Sequence, residues 1–340
     1  MDKSVKERMK PQKIKKNKFG IQKFSKSYVF KELAKWAYII FRTFLFIGLA
    51  YVILYPLLTA LSKAFSEDYM ASATVEWIPK NFGMTNMKIA WSTYLNMPGS
   101  MFLSIRLSLV AAILQVVTSA IVGYGFARYK FKGRELLFSL VILSIIVPPQ
   151  TYLIPMYIIY RRFHWFGLTY LIQLFAPNFE SNLLNTEWSM WLPAMLGVGL
   201  RGGLFIYIFR QFFRGMPKDL EEAAWIDGCG PFSTFVRIMV PNALSAALTV
   251  FLFSLVWHWN DYTVAGMMFP TADVRPISVM LITQSAKAAN GSLYTSLSAD
   301  INNSFILNAA VLIVITPVLV LFGFLQKYFI ESVDRVGIKG

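Results

Sequence analysis

Four carboxylates fall within nine residues, at Asp219, Glu221, Glu222 and Asp227, and the positions among them include Leu220, Ala223 and Ala224. Small residues on one helix face let another backbone approach closely, and acids beside them offer partners for Arg or Lys. That combination suits docking into a groove on another protein. An amphipathic helix resting on lipid is the simpler reading, but an anionic inner leaflet would repel these four acids. Catalytic or metal chemistry finds little support. The single cysteine is Cys229, the two histidines are His164 and His258, and no Cys/His cluster forms, so both catalytic and metal-ligating residues are expected to be none.

The elements that must position these acids read as helix, sharp turn, helix. Pro217 stands where a first helical turn tolerates proline. Asp219, Glu221 and Glu222 then place negative charge at the positive end of the helix. Leu220, Ala223, Ala224 and Asp227 share a narrow face, and Gly228 is placed to end the helix in left-handed geometry. Pro231 opens a second helix with Phe232, Phe235, Val236 and Met239 on one side. The unit should lie at a membrane surface.

The surrounding chain supplies the membrane. Of 340 residues, 56% are hydrophobic and 15% charged, with mean hydropathy +0.51. Soluble domains run about 45–50% apolar and about 25% charged. The net charge of +15 would suit nucleic acid in a soluble protein. Here the basic residues cluster at the ends of apolar runs and in the first 35 positions, so no nucleic-acid partner is expected. Six segments can cross a bilayer, which takes about 20 apolar residues: 43–62, 107–127, 136–160, 190–209, 243–259 and 305–326. With the N-terminus inside, the inner segments 1–35, 128–135, 210–240 and the tail after 326 hold 23 of the 33 Lys and Arg residues. The outer segments 63–100, 161–189 and 260–303 hold seven. That bias puts both termini and the acidic stretch in the cytoplasm.

Residues 1–35 read as a basic cytoplasmic arm, mostly disordered in its first half, that holds orientation and touches anionic membrane lipid. Residues 36–340 form the transmembrane domain. Arg201 falls mid-way through the fourth segment beside Gly202 and Gly203. A charge at that depth costs at least ~2.5–3.5 kcal/mol. Either Arg201 faces a polar interior or the helix breaks there, or the span is shorter and Arg201 lies near the outer interface. Pro148-Pro149 and Pro317 favour kinks in the third and sixth segments.

The stretch EAAWIDGCGPFSTFVRIMVP resembles the EAA motif of ABC-importer permeases. It carries Glu222, Ala223, Ala224, Gly228, Ile238 and Pro241, with Val240 in place of Leu and Cys229 where Ala is common. The segments 123–138, 153–163, 209–224, 257–266 and the tail 337–340 look like the carbohydrate-uptake subfamily, most of all its maltose-transporter-type second permease. The likeness covers roughly residues 35–340.

The resemblance implies an all-α polytopic protein of a bacterial-type inner membrane, with six transmembrane helices and the type I ABC-importer permease fold. It implies a heterodimer with a second permease subunit, two ATPase subunits on the cytoplasmic loops, and an extracellular sugar-binding protein. The coupling loop would be 210–240, with Leu220, Glu221, Glu222, Ala223, Ala224, Asp227 and Gly228 facing the ATPase. The chain has no GxxxxGK[ST] phosphate loop, so it does not hydrolyse ATP in the usual way. It should hold no cofactor itself, with ATP and Mg bound by the partner ATPase.

For sugar contact the useful groups are amides, carboxylates, hydroxyls and flat aromatics. Gln115, Trp257, Trp259, Asn260, Asp261, Tyr262 and Asn308 are the candidates. Individually they read more simply as interfacial aromatics or as helix–helix hydrogen bonds. The resemblance also implies that a partner subunit makes most substrate contacts. The outer loop 264–303 is long and Ser/Ala/Asn-rich, and either touches the binding protein or stands in solvent. A stand-alone secondary transporter or channel is the alternative, but no convincing internal repeat is visible.

Overall fold

The computed structural model describes residues 26–67, 78–79, 81–164, 167–175, 181–289 and 297–337. Most of the basic arm and the last residues of the 337–340 tail lie outside them. The chain divides into two units, Met1–Leu58 and Thr59–Gly340. In the first, residues 26–58 are helical throughout, the greater part of helix α1 (Lys26–Ala64), and nearly all of the side chains from Phe30 onward are exposed.

The second unit is helical, and its described residues contain no strand beyond an isolated bridge between Ser66 and Phe82. After α2 (Thr85–Ile89), α3 (Gly99–Arg128) is its long central helix. The small side chains of α3 gather on its buried side, beside Leu103, Leu107 and Tyr124. Ser100, Ser104, Ser108, Ala112, Gln115, Ser119 and Gly123 form a buried stripe, while Phe102, Ile105, Leu109, Ile113, Val117 and Ile121 are exposed. Lipid tails are as apolar as Leu, so hydrophobicity does not drive helices together there, and small residues permit the close packing that does. On this stripe sit α7 (Trp188–Met195), α8 (Gly202–Gly215) and α11 (Leu244–Asn260). A Cβ at Gly123 would lie 2.6 Å from Phe209 Cβ and 2.9 Å from the Arg210 backbone nitrogen, so only glycine allows α3 and α8 to meet.

Three helices are long and apolar enough to cross a membrane unbroken: Phe30–Ala64, Gly99–Arg128 and Ser304–Lys327. Two of the six expected spans are instead divided. Segment 136–160 becomes α4 (Arg134–Ile146), a 3-10 turn at Pro149–Thr151 and α5 (Leu153–Arg161). Pro149 has no N–H to continue the ladder, and Val147 before Pro148 is extended. Segment 190–209 becomes α7 and α8, because Gly197 and Arg201 both take left-handed backbone, φ 76° and 59°. The helix thus breaks at Arg201, whose guanidinium lies 5.6 Å from the ring centre of Trp257.

The fifth span is α11. It meets α10 (Pro231–Asn242) at a bend of 76°, so the two helices run in different directions. The loop 161–189 holds α6 (Leu168–Gln173). The outer loop 260–303 carries two helices, α12 (Thr263–Met268) and α13 (Ile277–Ala289), before α14 (Leu297–Gly337) begins.

The two inner segments, 128–135 and 210–240, come together at one end of α3, where Arg128 donates to the Met216 carbonyl at 2.9 Å. The outer loops meet at the other end, where Gly99, Asn185, Glu187 and Val274 line one cavity.

Candidate coupling site

Between α8 and α10 lies α9 (Asp219–Ile226), one turn of acids followed by Ala-Ala-Trp-Ile. Lys218 is its N-cap, and Pro217 precedes it. Gly228 takes φ +82°, and the N–H of Cys229 reaches back to the Ala224 carbonyl at 2.8 Å, closing the helix as expected. Pro231 stands in the first turn of α10. A π turn at Phe235–Met239 widens the spacing there. Met239 and Thr234 are buried, while Phe232 and Val236 are exposed, so the four apolar residues expected on one side divide between two.

The same division occurs on α9. Glu221 and Ala224, three residues apart, point inward and are buried. Leu220, Glu222, Ala223 and Asp227 are exposed together with Gly228. Glu221 and Ala224 therefore both depart from their expected places on the partner-facing surface. Glu221 Oε1 accepts a hydrogen bond from the Tyr124 hydroxyl at 2.6 Å, and its Oε2 lies 3.0 Å from Arg128 Nε. Arg128 and Glu221 retain only 8% and 6% of their side-chain exposure. Burying two charges is costly unless each is paired and further bonded; here Tyr124 donates to the carboxylate and the Met216 carbonyl accepts from Arg128 Nη2, while Arg128 Nε lies close to Glu221 without a hydrogen bond.

Tyr124 is held in turn by rings, with centroids at 5.4 Å to Phe213 and 4.9 Å to Phe235. Phe205, Phe209, Phe213, Met239 and Val250 continue this packing into the core shared by α3, α8, α10 and α11. The outward face of α9 is rimmed by Trp225 (53% exposed) and Ile226 (87%). Tyr124 and Arg128 lie in the 123–138 segment that carries the resemblance, yet nothing in one sequence pairs them with a carboxylate more than ninety residues away.

A family model for the binding-protein-dependent transport system inner membrane component matches residues 115–335, which include this whole mount. The chain belongs to that family. It is a multi-pass inner-membrane permease subunit of an ABC importer, a non-catalytic component that works with a further permease, an ATPase and a binding protein.

The permease is 26% identical over 305 residues to the arabinooligosaccharides transport system permease protein AraQ of Halalkalibacterium halodurans, covering 87% of this chain and 94% of AraQ. It is 31% identical over 243 residues to the osmoprotective compounds uptake permease protein GgtD of Synechocystis sp., covering 71% and 70%. The fold matches the crystal structure of a bacterial ABC transporter involved in the import of the acidic polysaccharide alginate, at TM-score 0.61 and 18% identity, over 91% of this chain and all of that one.

The substrate-path candidates of the permease do not converge. Gln115 is fully buried against Gly199 and Gly202 at the α7–α8 break. Trp257 stacks between Phe205 and Phe253, with centroids at 5.4 and 5.8 Å. Trp259, two residues on, points into a different core and donates its Nε1–H to the Val314 carbonyl at 3.1 Å. Asn308 bonds its own helix at the Ser304 carbonyl, 2.6 Å away.

Asp261 accepts three backbone N–H bonds from Thr263, Val264 and Ala265, at 3.0–3.1 Å, and so caps α12. Burial holds its carboxyl above the usual carboxylate range, a shift that those donors only partly offset. Asn260 and Tyr262 are exposed. His258 is packed, its Nδ1 bonded to the Ser254 carbonyl at 2.8 Å. At the outer end, an ion pair of Arg106 with Glu187, plus Trp188 and Trp191, lines a cavity of about 540 Å³ that sequence reasoning missed.

Proposed function

We propose that this permease forms one half of a heteromeric pore for a sugar or oligosaccharide and that α9 is the helix through which ATPase motion reaches it. Two ATPase subunits hold ATP and Mg. When they close, a groove on one carries α9 with it. Glu222 pairs there with an Arg or Lys, and Ala223 and Gly228 let the ATPase backbone come near. One observation carries this reading: a helix exposes an acidic, small-residue face while its other face is tied to α3 through Glu221, Arg128 and Tyr124. A pull on α9 therefore becomes a pull on the central helix of the bundle.

The cargo class follows from relatives. Besides AraQ, the melibiose/raffinose/stachyose import permease protein MelC of Bacillus subtilis is 28% identical over 84% of this chain. An extracellular binding protein would deliver the sugar, with the loop 264–303 as its contact. GgtD favours a second reading, in which the cargo is an osmoprotective compound.

Co-purified complex and binding protein, reconstituted together, decide the matter through ATPase stimulation by a panel of oligosaccharides, monosaccharides and compatible solutes. Glu222→Lys and Gly228→Asp should insert normally yet separate ATP hydrolysis from uptake. Normal transport by both variants would refute the assignment of α9.

A further inference from the structure

Beside the α9 mount, α3, α4 and α8 enclose a cavity of about 500 Å³. Six cationic side chains line it against three carboxylates. Two of the acids are spoken for: Glu221 by Arg128, and Glu135 by Arg134, whose Nε and Nη2 donate to Glu135 Oε1 at 2.9 and 2.6 Å. Hydrogen bonding from Arg134 holds the Glu135 carboxyl below the usual carboxylate range. Among the described residues, Lys130, Arg214 and Lys218 have no carboxylate within ion-pair distance.

Arg210 is the telling member. Its side chain keeps 8% exposure, and its guanidinium sits 3.7 Å over the Phe138 ring. Its Nη2 is a loose 3.8 Å from Glu135, and its Nε has no hydrogen-bond partner. A buried guanidinium with an unused donor is costly unless an anion completes it.

We infer that this cavity binds the phosphate of an anionic phospholipid headgroup, held by Arg210, Arg214, Lys130 and Lys218. A phosphodiester and free phosphate share the chemistry that these donors recognise. The rim favours the lipid. From Arg134 and Glu135, α4 continues with Leu136, Leu140 and Leu143 on one exposed face, a track for acyl chains that starts at the cavity mouth. The Lys/Arg distribution puts this end at the inner leaflet, where anionic lipids collect. Glu222 and Trp225 of α9 also line the cavity, so an occupying headgroup would brace the coupling helix.

Native mass spectrometry of the full chain with its co-purified partners, stripped of lipid and titrated with phosphatidylglycerol, phosphatidylcholine or inorganic phosphate, tests the site. Phosphatidylglycerol should be retained well above phosphatidylcholine. Each charge is expected to contribute about fivefold, so Arg214→Gln with Lys218→Gln should weaken phosphatidylglycerol binding by about twenty-fivefold. Both positions are exposed, and the fold should survive. Arg210→Lys, which keeps the charge, should weaken it less.

Three results would overturn the proposal. The first is equal affinity in the wild type and the double variant. The second is inorganic phosphate displacing the lipid at equal concentration, which would assign the site to free phosphate. The third is a photoreactive residue at position 130 that captures the ATPase polypeptide and no lipid.

Discussion

Glu221 and Arg128 stand 3.0 Å apart, a buried pair that joins a surface helix to the inner end of the central helix α3. Glu221 neighbours Glu222 in sequence but does opposite work, since one carboxylate faces the bundle and the other faces out. Removing one partner leaves an uncompensated buried charge, so Arg128→Gln or Glu221→Gln should cost about 3–5 kcal/mol. The double variant should recover part of that loss. Thermal unfolding of the wild type and these three variants closes the cycle, and additive single effects would mean the pair is not coupled.

The outward rim of α9 predicts a separation of folding from assembly. Trp225 and Ile226 are exposed, so Trp225→Ala should change stability by less than about 0.5 kcal/mol. Buried in an ATPase groove, the same ring should be worth more than about 1 kcal/mol of affinity. Pull-down of the ATPase at graded concentration reads the difference, and unchanged capture would remove Trp225 from the interface.

Gly123 sets how closely α3 and α8 approach. A Cβ there meets Phe209 Cβ at 2.6 Å, within a core that has no room to give. Gly123→Val should destabilise by about 1–3 kcal/mol, the usual cost of overpacking. Detergent-solubilised yield and unfolding temperature measure it, and a neutral outcome would mean that the helices can separate freely.

Asp261 should prove structural. Its carboxylate caps α12 through three backbone donors. Asp261→Ala should cost about 1 kcal/mol, and Asp261→Asn, another good cap, much less. Transport assays on the Asn variant separate the roles, because a sugar ligand would lose affinity where a cap would not.

The membrane class, the helical content and the helix–turn–helix of 217–241 were legible because they rest on local quantities. An apolar run shows its length, Gly228 its left-handed turn, and Pro231 its helix start. The EAA likeness placed the family for the same reason, since all of its positions lie within twenty residues. Breaks in the spans were half visible. Pro148-Pro149 announced one, and Arg201 beside Gly202 and Gly203 offered a break as one of its readings, which the left-handed backbone of Gly197 and Arg201 selected.

What only the tertiary structure decided is orientation. A helix puts neighbours such as Glu221 and Glu222, or Ala223 and Ala224, about 100° apart. Which of them faces inward depends on what stands opposite. Tyr124 and Arg128 stand opposite Glu221, and Trp257 and Trp259 part company because α8 and α14 flank different faces of α11. By itself the sequence determined which segments enter the membrane and which small acidic helix meets its surface, because hydrophobicity and backbone preference are local. Pairing across ninety residues is not, so the contacts that tie this helix to α3 emerged only when the chain was folded.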